Sequence, residues 1–403
     1  FIVASLALLK PGGRLAMVVP AELLHVLHAK SLRKFLLAQC ATVLVIDPAH
    51  IWFQETLQGV VLLLAEKRVK ANRTAARIAI RPVASRDQLR IPPQKHFERA
   101  EFFAGSVLTS KWMLGLLTSR ERTLVRELSR HPQIKRFGEI ASVDVGIVTG
   151  ANKFFHVTDA VLKAHGLEPW AHPMFGRSEQ AQGVIYDRQD HADNARRGLP
   201  TNFVWLGKTP LDEFPDSVRN YIREGESQGL AKRYKCRIRT PWYSVPSVYA
   251  APVGMLKRSH HFPRLVLNAA KTLTTDTAYR VTPHKVRAAD LVFSFVNSLT
   301  ALSNELEGRH YGGGVLELVP SEIEKVLIPL GEHTPAALKS LDTEIKSGTL
   351  PEELLLRQDD LVLKPLGITA TDRDTLRHAW RRLRDRRHRT TTQPESPSES
   401  VQP

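Results

Sequence analysis

Tyr311 is followed by Gly312, Gly313 and Gly314, and glycine clusters of this kind can wrap a phosphate. Such a cradle needs a strand before it and a helix N-terminus after it. Here residues 291–308 read as a helix and residues 315–319 as a short strand, so the glycines predict a structural turn and not a nucleotide site. A second stretch, KCRIRTPWY at residues 235–243, sets Lys235, Arg237 and Arg239 at alternate positions. Alternate residues share a side if the segment is a strand, with Trp242 and Tyr243 then at its end. Cations beside aromatics suit a nucleic-acid groove, although the two rings read equally well as the core of a small domain. In TGANKFF, residues 149–155, small residues let the backbone approach a partner, and Asn152 and Lys153 can reach a phosphate or a base.

Metal chemistry has little support. His25 and His28 stand three apart on a predicted helix with no carboxylate or cysteine cluster, and these, like the pair His260 and His261, read as surface histidines. No metal is expected. Two cysteines, Cys40 and Cys236, allow neither a disulfide framework nor a zinc ribbon, which points to a reducing, cytoplasmic compartment.

The balance of charge narrows the partner. Lysines and arginines outnumber acids 57 to 41, a formal net charge of +16, so a polyanion is favoured and nucleic acid is the usual one. The alternative is a solvated basic face and a basic tail. Residues 372–389 hold eight arginines against three aspartates, and the rest of the excess is spread over the body. No apolar run reaches the roughly 18 residues of a membrane span. The opening FIVASLALLKPGG imitates a signal peptide, but Lys10 and Pro11 end it and no basic leader precedes it. The chain starts at Phe1, not Met, and is expected to be a fragment whose upstream part is missing.

These residues need a scaffold. Residues 1–85 alternate regularly: the end of a helix, a KPGG turn, a strand RLAMVVP, a helix over residues 21–39, strands ATVLVIDP and GVVLLLAEKR, then ARIAIRPV. Near-continuous apolar strands alternating with a helix predict a covered α/β sheet. Residues 86–133 read as a helical connector. Prolines, isolated aromatics and short strands such as SVDVGIVTG and PRLVLNA make residues 134–335 an irregular α+β domain. A basic helical extension, residues 336–390, and a tail disordered by composition, 391–403, complete the chain.

LALLKPGGRLAMVVPAELL resembles the later part of class I methyltransferase domains. The following VLVIDPAHIWFQETLQGVVLLLAEKR is similar to the gamma-class, TaqI-like N6-adenine DNA methyltransferases, in which a strand ends in a loop bearing a phenylalanine shortly before a small-Val-Val-apolar strand. Phe53 takes that place, and the resemblance implies that it stacks on an adenine swung out of the duplex. Extrusion costs about a few kcal/mol, against roughly 1–3 kcal/mol returned per stacked base. VDVGIVTGANKFF, YKCRIRTPWYSVP and YGGGVLELVPSEIEKVLIP, in that order, resemble the target-recognition domain of the same branch. That implies DNA contact by Asn152, Lys153, Lys235, Arg237, Arg239, Trp242, Tyr243, Arg309 and Tyr311, with the glycine loop closing the recognition domain.

The resemblance spans residues 1–330. It lacks the Phe-x-Gly-x-Gly-type loop for S-adenosyl-L-methionine and the Asn-Pro-Pro-Tyr tetrapeptide that aligns the adenine amine; DPAH at residues 47–50 has no aromatic in fourth place. Catalytic residues are therefore expected upstream of Phe1. The reading is α/β: the C-terminal half of a class I methyltransferase sheet followed by an α+β target-recognition domain. It would belong to a site-specific adenine-N6 methyltransferase of a restriction–modification or defence system, acting on double-stranded DNA, with a cognate endonuclease or an upstream half as further partners. The alternative is a DNA-specificity subunit of a split enzyme, without chemistry of its own.

Overall fold

A computed structural model describes residues 1–52, 59–69, 75–108 and 111–389. Phe53 and the tail 391–403 lie outside the described residues. The chain divides into two compact units, one holding residues 1–128, 302–318 and the described residues from 374 on, the other residues 129–301 and 319–373. This differs from a linear segmentation, because the glycine loop and the basic C-terminal helix belong with the first unit. The side chains responsible are described below.

The first unit is built on a mixed sheet of β1 (Arg14–Pro20), β2 (Cys40–Pro48), β3 (Val60–Lys67), β4 (Arg77–Val83) and β5 (Phe103–Ala104), in spatial order β1-β3-β2-β4-β5. β3 runs antiparallel to both β1 and β2, and β2 is parallel to β4. Val43, Leu44, Val45 and Ile46 are all buried because β2 is central, which is what their unbroken apolar run requires. Lys67 closes the carbonyl end of the helix Ile2–Leu8, its Nζ donating to Leu6 O at 2.8 Å and Leu9 O at 2.6 Å.

The single helix predicted over residues 21–39 is not formed. Two 3-10 turns, Ala21–Leu24 and Leu27–Ala29, precede a helix confined to Lys30–Gln39. The cause is Arg33, which is turned inward and donates through Nη1 to Leu23 O at 2.8 Å and Val26 O at 2.9 Å. Those carbonyls are satisfied without a continuous helix, while burial lowers the Arg33 pKa to about 10. His25, expected at the surface, is buried by the same turn.

In the second unit a five-stranded sheet runs in the order Ile185–Tyr186, Leu265–Asn268, Val253–Leu256, Ala278–Pro283, Ala141–Val145. A four-stranded sheet joins Leu273–Thr274, Ala171–Phe175, Asn202–Val204 and His156–Val157. The helix predicted over residues 291–308 is broken into Ala288–Ser294 and Ser298–Glu307. Asn297 caps the second piece, accepting from Thr300 N at 2.9 Å, and buried Asp359 accepts from both Ser298 N (2.8 Å) and Ser298 Oγ (2.7 Å). A cap residue and a carboxylate at the helix start stabilise this break.

Candidate nucleic-acid interface

In the second unit the structure brings together two of the segments singled out above. Residues 234–239 are not a strand. Tyr234–Arg237 is one helical turn, with Cys236 N and Arg237 N both bonded to Arg233 O at 2.9 Å and Arg239 N to Cys236 O at 3.0 Å. The three cations therefore do not share a face. The buried positions Cys236 and Trp242 and the inward-turned Arg239 fix the conformation, and Lys235 and Arg237 are left outside, exposed.

Arg239 has become a clamp. Its guanidinium donates to Thr149 O and to Val148 O, each at 2.7 Å, and Cys236 Sγ lies 3.7 Å from Thr149 O. Burial lowers the Arg239 pKa and raises that of the Cys236 thiol. The loop so held continues through Gly150, at φ +81°, where an added Cβ would lie 2.7 Å from Lys235 Cβ. Only glycine permits this approach. Asn152 faces inward as well, its Nδ2 donating to Asp276 Oδ1 at 3.0 Å, whereas Lys153 is exposed.

Trp242 and Tyr243 are core residues, 8% and 2% exposed. The Trp242 ring centroid lies 5.1 Å from that of Phe154, which stacks on Tyr221 at 4.5 Å, and Gly225 on the helix Asp216–Ser227 leaves room for both Phe154 and Trp242. The polar tips are satisfied: Trp242 Nε1 donates to Glu226 at 3.0 Å, and Tyr243 OH to Thr209 O at 2.8 Å. Tyr243→Phe is expected to cost about 1 kcal/mol, read as a shift in the urea midpoint at unchanged slope. No shift would mean that water replaces the hydroxyl.

The exposed aromatic is instead Tyr234, 63% accessible, with Lys235 Nζ and Arg237 Cζ each 5.6 Å from its ring centre. Lys232 and Arg233 are exposed beside it. Residues 232–237 thus carry four cations and one ring on a surface turn. That arrangement can hold phosphates by charge and a base or sugar by stacking. The signal was present in the sequence as AKRYKCR, and strand alternation obscured it.

Arg309 and Tyr311 lie in the first unit, half-buried and exposed respectively. Arg309–Tyr311 pairs antiparallel with Val315–Glu317, and the glycines form the hairpin loop, Gly313 and Gly314 each at φ +71°. A Cβ on Gly314 would meet the His388 ring at 2.6 Å, and Gly314 O accepts from Arg387 Nη1. So this loop packs on the C-terminal helix and does not close the second unit.

Most of the basic helix is committed internally. Arg387 and Glu305 form a pair with both side chains fully buried, 2.7 Å apart. Asp47, at the end of β2, takes Arg386 in a bidentate contact at 2.6 and 2.9 Å and Arg389 at 3.1 Å. Arg382 binds Glu121 at 2.6 Å. Burial alone would raise the Glu305 pKa, but the Arg387 charge and the His310 contact bring it to about 2. The same two forces act on Asp47, with Arg386 and Arg389 prevailing. His25 and His310, stacked at 5.1 Å, both have pKa values lowered by burial. The cavity these groups surround holds about 20 Å³, room for a water.

Comparison with known proteins adds a family. Residues 109–363 match the model of the C-terminal domain of the Type II methyltransferase M.Eco57I. Type II methyltransferase M.AccI of Acinetobacter calcoaceticus is 20% identical over 397 residues, covering 94% of this chain and 71% of the relative. Type II methyltransferase M.XamI of Xanthomonas campestris pv. amaranthicola is 29% identical over 132 residues, 32% of this chain and 25% of the relative. Among solved structures, the type IIG restriction endonuclease BpuSI aligns with a TM-score of 0.43 at 12% identity, over 95% of this chain. The chain spans about half of that enzyme, 48%.

Proposed function

Because the chain belongs to the family of the Type II methyltransferase M.Eco57I C-terminal domain, we propose that it is the DNA-recognition and adenine-capturing part of a site-specific N6-adenine DNA methyltransferase of a restriction–modification system. One observation carries the reading. The second unit, within the matched residues, turns Lys153, Lys235 and Arg237 outward on segments locked together by Arg239. In this reading those cations and Tyr234 hold the backbone of duplex DNA, which sets register without reading sequence. Phe53 receives the extruded base.

S-adenosyl-L-methionine is the methyl donor this class of enzyme implies. The residues present do not fit it. The cofactor loop and the tetrapeptide are absent from the sequence, and the strand end at Asp47 is closed by Arg386 and Arg389 over a cavity of about 20 Å³. Methyl transfer is accordingly assigned to residues outside this chain. Their absence equally favours a specificity subunit of a split enzyme, which differs in needing a separate catalytic chain.

The chain joined to a catalytic half carrying both motifs should yield N6-methyladenine in duplex DNA. Failure to form that product on any DNA would end the adenine reading. Phe53→Ala should weaken capture of 2-aminopurine at a target site by about 5- to 150-fold, the roughly 1–3 kcal/mol of one stacked base, while salt-sensitive duplex binding stays intact. Equal loss of both would make Phe53 structural.

A further inference from the structure

Between the basic segments 232–239 and 257–258 runs a stretch, residues 240–256, without a single charged side chain. Its middle, PSVYA at residues 246–250, leaves Pro246, Ser247, Tyr249 and Ala250 exposed. The backbone there is held and not relaxed. Ser247 sits at φ +57°, a left-handed setting that disfavours a serine. Arg280, 5% exposed, keeps it so: Nη1 donates to Ser247 O at 2.7 Å and Nη2 to Val145 O at 2.8 Å. The Arg280 Cζ also lies 3.7 Å from the centre of the Tyr249 ring. Tyr249 in turn donates through its hydroxyl to Asp144 Oδ2 at 3.1 Å. A guanidinium on one face and a carboxylate at the tip therefore fix this exposed ring.

Asp144 lies on Ala141–Val145, an edge strand of the five-stranded sheet. Ala141 and Val143 are buried, yet Val145, next on the same side, is 39% exposed, so the strand end lifts clear of the core. Asp144 is exposed beside it, and with Tyr249 on Oδ2 its Oδ1 can accept from outside the protein. Gly150, packed against Lys235, is six residues further on, a reach of at most about 20 Å. On duplex DNA that is roughly six base steps of 3.4 Å. A carboxylate so near a phosphate-holding surface repels the backbone and becomes favourable opposite a donor. Base edges supply such donors. In the major groove, about 12 Å wide, cytosine shows its N4 amine alone, adenine sets its N6 amine beside the acceptor N7, and guanine and thymine present acceptors.

We propose that Asp144 is a specificity-determining residue of the second unit: its carboxylate accepts from the N4 amine of a cytosine in the target sequence, and Tyr249 and Arg280 are positioning residues that aim it. This assignment rests on the DNA-recognition reading above and separates base reading from backbone holding. The cations of residues 232–237 meet phosphates, and the uncharged loop with Asp144 meets base edges.

The test is selection of bound duplexes from a randomised library by the whole chain, repeated with variants. The unmodified chain should enrich a motif in which at least one position prefers cytosine by about fivefold or more. Asp144→Ala should abolish the preference at that position while the others hold. Asp144→Asn, isosteric and compatible with the fold, should move the same position toward adenine, because an amide pairs with N6 and N7 together. Tyr249→Phe should relax that position at least twofold without altering preference elsewhere, which a general loss of structure would not do. A motif unchanged by Asp144→Asn, one weakened evenly at every position, or binding without sequence preference would each overturn the assignment and leave backbone holding by the unit intact. Loss of the preference when inosine replaces the paired guanine would place the contact in the minor groove and overturn the cytosine reading. No binding to any duplex would end the DNA-recognition reading itself, and this assignment with it.

Discussion

Arg387→Ala is expected to destabilise the first unit by about 3–5 kcal/mol, the usual cost of stripping one partner from a buried pair. Arg387 and Glu305 both have side chains of zero accessibility, and Arg387 also holds Gly314 O. Removing the guanidinium leaves a carboxylate in the interior with His310 beside it and no arginine to balance it. For a unit of this size the thermal midpoint should fall by roughly 10 °C. A loss under about 1 kcal/mol would show that water reaches Glu305. The double change Glu305→Leu with Arg387→Met should recover most of the loss, because replacing both charges removes the desolvation penalty as well as the attraction.

The same cluster sets an acid limit. Glu305 has its folded pKa depressed to about 2, against about 4.3 unfolded. Its contribution is present above about pH 4.3 and is lost as pH falls toward 2. The lowered pKa values of buried His25 and His310 act in the same sense from higher pH, since the unfolded state takes up their protons below about pH 6.5. Stability of the unmodified protein should therefore decline in two stages on acidification. In the Glu305→Leu/Arg387→Met protein the lower stage should be reduced.

Lys235→Glu with Arg237→Glu is expected to weaken duplex DNA binding by about two orders of magnitude at physiological salt and to lower the slope of log K against log salt by about 1.8. Both side chains are exposed, so the unfolding free energy should hold within about 0.5 kcal/mol. Arg239→Ala should do the reverse. It frees the carbonyls of Val148 and Thr149, loosens the loop and lowers stability before it touches affinity. A charge reversal that leaves the salt slope unchanged would place the DNA elsewhere on the chain. The contrast matters because a count of basic residues treats all three cations alike.

The alternating and uninterrupted apolar runs of residues 14–20, 40–48, 60–67 and 77–83 were enough to set four of the five strands of the first sheet, because burial on a pleated surface follows residue order directly, whereas the two-residue edge strand Phe103–Ala104 is too short to show a period. The net charge of +16 likewise favoured a polyanionic partner from composition alone. Which cations stay available for one is a different matter. Arg386, Arg387 and Arg389 meet Asp47 and Glu305 from some 80 to 340 positions away, and no local pattern announces a pairing at that distance. Arg33 and Arg239 are alike in this respect: each turns inward to serve carbonyls of a separate turn or loop and breaks the element its neighbours predicted. Tertiary packing therefore decided which arginines are structure and which face outward, since a buried guanidinium is retained only where particular oxygens surround it.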